Sequence, residues 1–340
     1  MVVASVRSDR KAWKVRSSGE IVPRTLSLVV PVFRGAATIE GLVREALSLR
    51  LSDSTPAGHT YTLLEIILVH DCGPDDSDAV LRSLAAEFSE VSIVWLARNS
   101  GQHAATLAGI AASRGEWVIT LDEDGQHDPA VIPELLEAAL NSRSHLVYGV
   151  GRAPHRLWRR AGSRLAKRVF RLASGGAGLS SEFSSFRLIL GEIARYVGAT
   201  AGPWVYLDVA LSWSISRVAT HHVLLRSEGR PAISYSWSRL AQHFLRMVAS
   251  LSVRPLSLIF LGGLASGTVG VGFAALTVVQ RVTGVVDLPG WSSLMATLLI
   301  GFGITLAAIG IVAAFLGVVV TIMLGRPAYT TVTDDSIVFR

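Results

Sequence analysis

Cysteine and charge are both scarce in this chain. Cys72 is the one cysteine among 340 residues, and only 17% of the residues are Asp, Glu, Lys or Arg. A single cysteine excludes an intramolecular disulfide and is typical of a protein from a reducing compartment. Because a free cysteine behaves as a small apolar residue, we expect Cys72, which follows a strand-like run, to be buried.

Charged residues are absent altogether from two segments near the C-terminus. Residues 256–280 and 290–325 contain no Asp, Glu, Lys or Arg. A helix needs roughly 20 apolar residues to cross a bilayer, so each segment is long enough. We therefore expect a two-helix transmembrane hairpin at 255–325, with spans at about 256–280 and 292–324. Arginines precede the first segment and follow the second, so the positive-inside rule predicts that both chain ends are cytoplasmic.

Three further segments lie at the two chain ends and directly before the predicted hairpin. The basic N-terminal tail, 1–24, has no apolar stretch typical of a secretory signal. Residues 226–254 form a juxtamembrane region whose apolar residues recur at helical spacing, which predicts an amphipathic helix at the bilayer surface. Residues 326–340 form a cytoplasmic C-terminal tail. Small residues in the first span, including Gly262, Ser266 and Gly270, predict close helix packing, and a homo-oligomer is one way to use it.

Residues 25–225 alternate strand-like and helix-like segments. Buried parallel strands joined by helices produce this alternation, and their ligands bind outside the carboxyl ends of the strands. The sequence thus predicts an α/β domain with a Rossmann-like mixed sheet flanked by helices. A dinucleotide-binding domain is the structural alternative, but no Gly-x-Gly-x-x-Gly follows the first strand. The apolar, strand-like runs are at 26–33, 63–69, 91–96 and 117–121.

The acidic sequence Asp-Glu-Asp-Gly-Gln at 122–126 directly follows the last of these runs. Magnesium in proteins is typically held by one or two carboxylates together with substrate phosphates. A carboxylate pair at a strand end therefore predicts a divalent cation that bridges a nucleotide diphosphate. The alternative is a solvated acidic turn that caps the helix beginning near Pro129. We favour the metal site because Gln126 and the preceding strand accompany the carboxylates.

Basic residues are concentrated at 152–171, C-terminal to the acidic sequence at 122–126. They alternate with apolar residues spaced at three and four, which predicts a helix with one apolar stripe and a cationic remainder at a membrane surface. The net charge of +6 is attributed to membrane and phosphate chemistry, because no nucleic-acid recognition module accompanies it. The basic residues are Arg152, Arg156, Arg159, Arg160, Arg164, Lys167, Arg168 and Arg171.

Five short sequences, in their order and spacing, resemble a known family. The chain is similar to the family 2 glycosyltransferases of GT-A fold, and within them to the membrane-anchored polyprenyl-phosphate glycosyltransferases akin to dolichol-phosphate mannose synthase and bactoprenol glucosyltransferase. The sequences are LVVPVF at 28–33, VHDCGPD at 69–75, RNSGQH at 98–103, LDEDGQH at 121–127 and SFRL at 185–188.

The resemblance implies a role for each motif. Mg²⁺ or Mn²⁺ is held against the donor diphosphate by Asp122, Asp124 and Gln126. The acceptor lipid phosphate is gripped by Arg152, Arg159 and Ser163, of which Arg152 is expected to be catalytic together with Asp122 and Asp124. The nucleotide-sugar donor is bound by Pro31, Val32, Phe33, Asp71, Asp75 and Arg98.

The sequence departs from the family pattern at three places near the donor motifs. His70 stands where the first residue of a common Asp-Asp pair is found, and Arg34-Gly35 replaces a frequent Asn-Glu. Gln102 stands where many relatives carry lysine. The residues that contact the nucleoside could therefore differ in this chain. Asp71 could instead close its strand as an Asx turn.

The function implied is inverting transfer of a sugar from a nucleotide sugar to undecaprenyl or decaprenyl phosphate, for cell-envelope glycan modification at the inner or plasma membrane of a bacterium. A phosphate acceptor is already anionic near neutral pH, so no strong base is needed, although Asp208 is a candidate. The alternatives are a membrane glycosyltransferase acting on another glycolipid and an inactive GT-A scaffold. A processive synthase is disfavoured because no Gln-x-x-Arg-Trp sequence is present.

Overall fold

The structure, a computed structural model, describes residues 23–49, 54–151, 183–202, 206–226, 268, 272, 275, 279, 282–283, 291–324 and 327–334. Its strands are β1 (Arg24–Val32), β2 (Tyr61–His70), β3 (Val91–Leu96), β4 (Trp117–Thr120), β5 (Leu146–Gly151), β6 (Arg187–Leu190), β7 (Val218–Val223) and β8 (Thr331–Val332). Its helices are α1 (Ile39–Ser48), α2 (Ser77–Glu87), α3 (Gln102–Ala112), α4 (Ile132–Ser142), α5 (Gly191–Thr200), α6 (Leu207–Ser214) and α7 (Trp291–Met323), with a 3-10 turn at Pro129–Val131.

The described strands form one mixed sheet with the order β7-β5-β6-β4-β1-β2-β3-β8. Its centre is parallel, because β1 pairs with both β2 and β4, and β2 pairs with β3. Strand β6 runs antiparallel to both β4 and β5, and β7 is parallel to β5. The four apolar runs of the sequence correspond to β1 to β4, which confirms the predicted α/β fold.

Helices cover both faces of the sheet, and alternate residues of β1 show how. Leu28 belongs to a core cluster that includes residues of α1, α2 and α4, whereas its neighbour Val29 belongs to a second cluster with α3, α5 and α6. Both side chains are fully buried. A strand buried on both faces needs a continuous apolar sequence, which explains why β1 and β2 do not alternate between apolar and polar residues.

The register of the parallel strands brings their carboxyl ends together at one edge. Val32 at the end of β1 pairs with His70 at the end of β2, and Val29 pairs with Thr120 at the end of β4. The loops that follow these strands must therefore meet. Ligand sites in open parallel sheets lie at this edge, so the fold alone selects where a site is to be sought.

The C-terminal residues add an eighth strand that the sequence analysis did not anticipate. β8 lies antiparallel to β3, and the Ala97 N–H donates to the Thr330 carbonyl at 2.9 Å. Arg82 of α2 binds both carboxylate oxygens of Asp334, at 2.8 and 3.0 Å, and its guanidinium lies 4.8 Å from the Trp95 ring centroid. Part of the predicted C-terminal tail is thus fixed to the edge of the sheet.

The region predicted as a membrane hairpin is described only in part. Most of the first predicted span lies outside the described residues, whereas the second corresponds to the 33-residue helix α7. When the described residues alone are counted, no helix qualifies as a membrane span by length and apolar character together. The predicted juxtamembrane region, 226–254, also lies outside the described residues except for Arg226.

The expectation that Cys72 is buried is wrong. Its side chain is exposed, and its backbone φ of +49° lies in the left-handed region. The residue stands in the turn directly after β2, where the chain reverses toward α2. Its Sγ donates to the Leu96 carbonyl at 2.9 Å, so the thiol is held at the surface between two strand ends.

A buried carboxylate ties β1 and β2 to the loop between α3 and β4. Glu65 of β2 is 4% exposed and accepts hydrogen bonds from Ser27 Oγ of β1 at 2.7 Å and from the Arg114 amide at 2.7 Å. Ser27 Oγ in turn accepts from the Gly115 N–H at 2.8 Å. A Cβ on Gly115 would come within 2.7 Å of the Ser27 backbone nitrogen, so the loop can pack this closely only with glycine there.

We expect Glu65→Gln to lower the free energy of unfolding by about 1–3 kcal/mol, because the amide group presents a donor to other buried donors. Glu192→Gln is the matched control, since this exposed residue of α5 should change stability by less than about 0.5 kcal/mol. Both are measured by thermal unfolding of the full chain. Equal midpoints for the two variants would show that the buried carboxylate does not stabilise the sheet.

Candidate active site at the carboxyl ends of the strands

The loops after β1, β2, β3 and β4 meet at one edge of the sheet, and their acidic residues contact one another's backbones. The sequence-predicted residues Asp71, Asp75, Asp122 and Asp124 all lie in these loops. The structure also brings Glu123 into contact with Phe33, 90 residues away along the chain. The hydrogen bonds that each carboxylate already makes determine whether it can also contact a ligand.

Asp122 is held by two uncharged side chains. Gln102, the first residue of α3, donates its side-chain amide to Oδ1, and Ser185, just before β6, donates its hydroxyl to Oδ2 at 2.6 Å. Ser185 is fixed because its carbonyl accepts from Thr120 Oγ1 at 2.7 Å. Burial raises the pKa of Asp122, and the nearby Asp124 adds to this rise, while the Ser185 hydrogen bond and the charges of His127 and Arg187 oppose it. A divalent cation bound to Asp122 would favour the charged form of its carboxylate, as the Ser185 hydrogen bond does.

Asp124 and Gln126 shape the turn after β4. The Asp124 carboxylate accepts from the Gln126 backbone N–H at 3.1 Å, and Gly125 between them has a φ of +70°, which a side chain would strain. The Gln126 carbonyl accepts from the Arg226 N–H at 3.0 Å. Two carboxylates and an amide oxygen from one short turn are the hard oxygen donors that Mg²⁺ or Mn²⁺ takes.

Among the described residues, no group of three or more His, Cys, Asp or Glu is arranged to hold a metal ion. The predicted ligand set has two carboxylates, Asp122 and Asp124, and its third member, Gln126, is an amide. A set of this kind leaves coordination positions for substrate phosphates, as is usual for magnesium. Its residues therefore fit a cation shared with a substrate rather than a closed structural site.

His127 lies buried behind this turn. Its ring packs against Phe186 with centroids 5.1 Å apart and the ring planes tilted by 40°, and Nδ1 has no hydrogen-bond partner among the described residues. Burial lowers the pKa of His127, while the negative charges of Asp122 and Asp124 act in the opposite direction.

Glu123, between the two predicted metal ligands, binds the loop after β1. Oε2 accepts from the Phe33 N–H at 2.8 Å, and Oε1 accepts from the Arg34 N–H at 3.0 Å. Sequence reasoning quoted Glu123 within its motif but gave it no role. The signal that could have identified it is Gly35, since a Cβ built there would lie 2.8 Å from Glu123 Oε2.

Asp71 is buried and both of its carboxylate oxygens are used. Oδ1 accepts from the Ser100 N–H at 2.6 Å and Oδ2 from the Gly101 N–H at 2.9 Å. Burial raises the pKa of Asp71, although these two hydrogen bonds act against the rise. Gly101 has a φ of +85° and precedes α3, so Asp71 fixes the turn from which Gln102 reaches Asp122.

Asp75 holds the loop after β1 from the other side. Oδ2 accepts from the Ala36 N–H at 3.1 Å and Oδ1 from Ser77 Oγ at 2.8 Å. Partial burial raises the pKa of Asp75, but the hydrogen bonds from Ala36 and Ser77 outweigh it and leave the pKa below its ordinary value. The carboxylate is therefore charged at neutral pH and stabilises the loop that carries Phe33.

A buried ion pair lies directly behind Ser185. Arg187 Nη1 donates to Asp208 Oδ1 at 2.5 Å, and the Tyr148 hydroxyl donates to the same oxygen at 2.9 Å. Burial raises the pKa of Tyr148 well above its ordinary value, and the charge of Asp208 adds to this. The candidate base Asp208 is thus engaged by Arg187, a residue whose role the sequence analysis did not identify.

The remaining predicted site residues fall into two groups. Pro31 and Val32 are buried at the end of β1, Phe33 is half-buried, and Arg98 is exposed after β3. The predicted acceptor residues Arg152, Arg159 and Ser163 lie outside the described residues. Arg226, at the start of the predicted juxtamembrane region, binds Glu45 at 2.7 Å and Asp128 at 2.9 Å.

The chain matches known proteins over most of its length. Residues 27–186 match the family model described as Glycosyl transferase family 2. An undecaprenyl-phosphate 4-deoxy-4-formamido-L-arabinose transferase of Pseudomonas aeruginosa is 31% identical over 312 residues, covering 89% of this chain and 88% of that protein. The protein of the same name from Klebsiella pneumoniae is 28% identical, covering 90% of this chain and 92% of the other.

Solved structures resemble the chain at lower similarity. Glucosyl-3-phosphoglycerate synthase from Mycobacterium tuberculosis, solved with Mn²⁺, uridine diphosphate and phosphoglyceric acid, is 19% identical. The match has a TM-score of 0.48 and covers 67% of this chain and 77% of that one. This similarity is too low to transfer its ligands. The curated relatives and the family model suffice to identify the chain as a member of the family 2 glycosyltransferases, in the group that contains the polyprenyl-phosphate enzymes.

Proposed function

We propose that this protein transfers a sugar from a nucleotide-sugar donor to a polyprenyl phosphate and releases a nucleoside diphosphate. The observation that carries the proposal is the turn after β4, where Asp122 and Asp124 stand at the edge where all the donor motifs meet. The names of the relatives from Pseudomonas aeruginosa and Klebsiella pneumoniae support an undecaprenyl-phosphate acceptor. The product would be a glycosyl-phosphoryl-polyprenol used to modify the cell envelope.

The chemistry is a single displacement. A phosphate oxygen of the acceptor attacks the anomeric carbon and forms the new C–O bond, while the bond from that carbon to the donor diphosphate breaks. The diphosphate leaves with the electron pair, and the configuration at the anomeric carbon inverts. Because a phosphate monoester has a second pKa of roughly 6, the acceptor is already anionic and needs no strong base. The ion pair of Asp208 with Arg187 supports this, since it assigns that carboxylate another partner.

Asp122, Asp124 and Gln126 would hold Mg²⁺ or Mn²⁺ at the donor diphosphate. When bound, the cation supplies the charge that neutralises the leaving group. The protein's part is to keep the oxygen ligands in place before the donor arrives. Gln102 and Ser185 do so for Asp122 through its two carboxylate oxygens, and the turn at Gly125 does so for Asp124.

The donor would lie over the loops after β1, β2 and β3. Asp71 and Asp75 act there by holding the backbones of these loops, because their oxygens bind main-chain amides. Phe33 and Arg98 remain at least partly exposed at the same edge and are the side chains that could contact a nucleotide directly. The identity of the base and of the sugar depends on contours that these motifs do not fix.

The acceptor phosphate would be bound by Arg152, Arg159 and Ser163. The planar guanidinium of arginine bonds phosphate oxygens in pairs, which suits it to this task. Arg152 directly follows Gly151, the last residue of β5, and β5 is joined to β4 through β6. This topology supports the placement of an acceptor group close to the donor site.

The acceptor is a lipid, so we propose that the catalytic domain lies on the cytoplasmic face of a bacterial inner or plasma membrane, anchored by the 255–325 hairpin. Residues 290–325 contain no Asp, Glu, Lys or Arg, and several apolar side chains of α7 are exposed in the structure. Leu294, Phe302, Leu306 and Leu316 are 59, 66, 66 and 60% exposed. Such exposure is typical of a surface that contacts another apolar phase.

The direct test is to incubate the full chain with undecaprenyl phosphate, Mn²⁺ or Mg²⁺ and a panel of labelled nucleotide sugars. We expect one donor to give a labelled lipid that is labile to mild acid, and we expect EDTA to abolish it. Labelled lipid that persists in EDTA would contradict the metal site. Folded protein that labels a different glycolipid would reassign the acceptor, and protein that labels none would support the inactive scaffold.

Asp124→Asn should reduce turnover by at least about 10²-fold, because a neutral amide replaces a charged ligand of the cation. Its matched control is Asp76→Asn, which changes an exposed carboxylate at the start of α2 that caps no amide. Initial rates are measured at saturating donor, and thermal unfolding checks that both variants fold. Full activity in Asp124→Asn would remove this residue from the metal site.

Arg152→Ala and Arg159→Ala should raise KM for the lipid acceptor by about tenfold or more, because each removes a charge-assisted pair of hydrogen bonds to phosphate. The KM for the donor should change little. Arg217→Ala, at an exposed arginine just before β7, serves as the control for a lost surface charge. Unchanged lipid kinetics in both variants would show that the acceptor phosphate binds elsewhere.

A further inference from the structure

Two consecutive carboxylates in the turn after β4 contact different neighbouring elements. Asp122 contacts α3 and the residue before β6, whereas Glu123 contacts the loop after β1. Glu123 thereby joins the loop that carries the predicted metal ligands to the loop that carries Phe33. Hydrogen bonds from amides to a carboxylate are charge-assisted, and two amides converging on one carboxylate also fix its orientation.

Gly35 leaves the space that this carboxylate occupies. A Cβ at position 35 would lie 2.8 Å from Glu123 Oε2 and 2.8 Å from Val32 Cγ1, both closer than real Cβ contacts. Gly35 is buried, and its φ is not in the left-handed region, so the requirement for glycine here is one of space. A side chain at position 35 would therefore push the Glu123 carboxylate away from the Phe33 and Arg34 amides that it binds.

The resemblance to the family implies Asn-Glu at positions 34 and 35, where this chain has Arg34-Gly35. The chain also carries Glu123 between its two predicted metal ligands. The carboxylate expected at position 35 is missing, and a carboxylate from position 123 stands against the place that its Cβ would take. The glycine at position 35 and the glutamate at position 123 are therefore linked by one contact.

We propose that Glu123 is a positioning residue that supplies, from the loop after β4, a carboxylate in place of one at position 35. The inference rests on the proposed glycosyl transfer and deepens it, because it names what sets the metal ligands against the donor loop. The loop after β1 is held from both sides, by Glu123 through Phe33 and Arg34 and by Asp75 through Ala36. Only the first of these contacts is continuous with the metal ligands.

The loop has little room to find another arrangement. A Cβ at Gly73 would come within 1.7 Å of the Phe33 carbonyl oxygen, so the loop after β2 packs directly on the loop after β1. Loss of the Glu123 contact would leave this pair of loops together but release them from the turn after β4. The donor loop and the cation would then be misplaced relative to each other, while the fold itself would remain.

The experiment compares Glu123→Ala, Glu123→Gln, Gly35→Glu and the double variant Glu123→Ala with Gly35→Glu, all in the full chain. Two matched controls are available. Glu192→Ala removes an exposed carboxylate on α5, and Gly41→Glu adds a carboxylate on α1 where a Cβ meets nothing within 4 Å. The readouts are kcat and KM for the donor, thermal unfolding, and Mn²⁺ affinity by electron paramagnetic resonance with UDP or GDP present.

We expect Glu123→Ala to weaken Mn²⁺ affinity and to lower kcat/KM for the donor by about 10–100-fold, with a small change in unfolding temperature. Glu123→Gln should fall between this variant and the wild type, because its amide oxygen can still accept from one N–H. Gly35→Glu alone should be defective, since two carboxylates compete for one place. The double variant should exceed Gly35→Glu in Mn²⁺ affinity and activity, because only the contact of position 35 with Val32 then remains, and the two controls should match the wild type.

Wild-type affinity and kinetics in Glu123→Ala would overturn the positioning role, as would a double variant no better than Gly35→Glu. The binding measurement separates this outcome from failure of the proposed function. A wild type that binds Mn²⁺ with nucleotide but transfers no sugar would contradict the proposed reaction alone. A wild type that binds no Mn²⁺ would overturn both proposals.

Discussion

The site depends on one constraint, which is that carboxylates at the sheet edge must bind the main-chain amides of the loops that converge there. Parallel strands end together, so their loops expose unpaired N–H groups in a crowded space, and buried amides need partners. Acidic side chains supply them. The pairs are Asp71 with Ser100 and Gly101, Asp75 with Ala36, Glu123 with Phe33 and Arg34, and Asp124 with Gln126. Asp122 differs, because it is bound by side chains.

This arrangement is extended inward by a chain of polar contacts. Asp122 binds Ser185, and the Ser185 carbonyl lies 3.4 Å from Arg187 Nε, which in turn belongs to the buried ion pair with Asp208. Arg187 is 4% exposed, so its charge acts with little screening by water. It stabilises the charged form of Asp122 from a distance without contacting it. Arg187, paired with Asp208, thus lies behind the site.

The sequence predicted the elements better than it predicted the partners. Continuous apolar runs identified β1 to β4, and the acidic turn was expected at the end of β4, where it lies. The amide partners of Asp71 and Glu123 were not predicted, because they come from residues 29 to 90 positions away and depend on how loops meet. The strand β8 was missed because two residues carry no periodicity. Cys72 was wrongly expected to be buried, since an apolar run does not reveal where its strand turns.

Gln102 explains how the site keeps its charge. A lysine at this position that reached Asp122 would form an ion pair that competes with a cation. Glutamine gives the same carboxylate a hydrogen bond without neutralising it. Because Ser185 is also uncharged, neither side chain that binds Asp122 directly neutralises it, and burial raises its pKa. The two hydrogen bonds therefore hold the Asp122 carboxylate in a fixed orientation without forming an ion pair with it, which leaves it able to bind a cation.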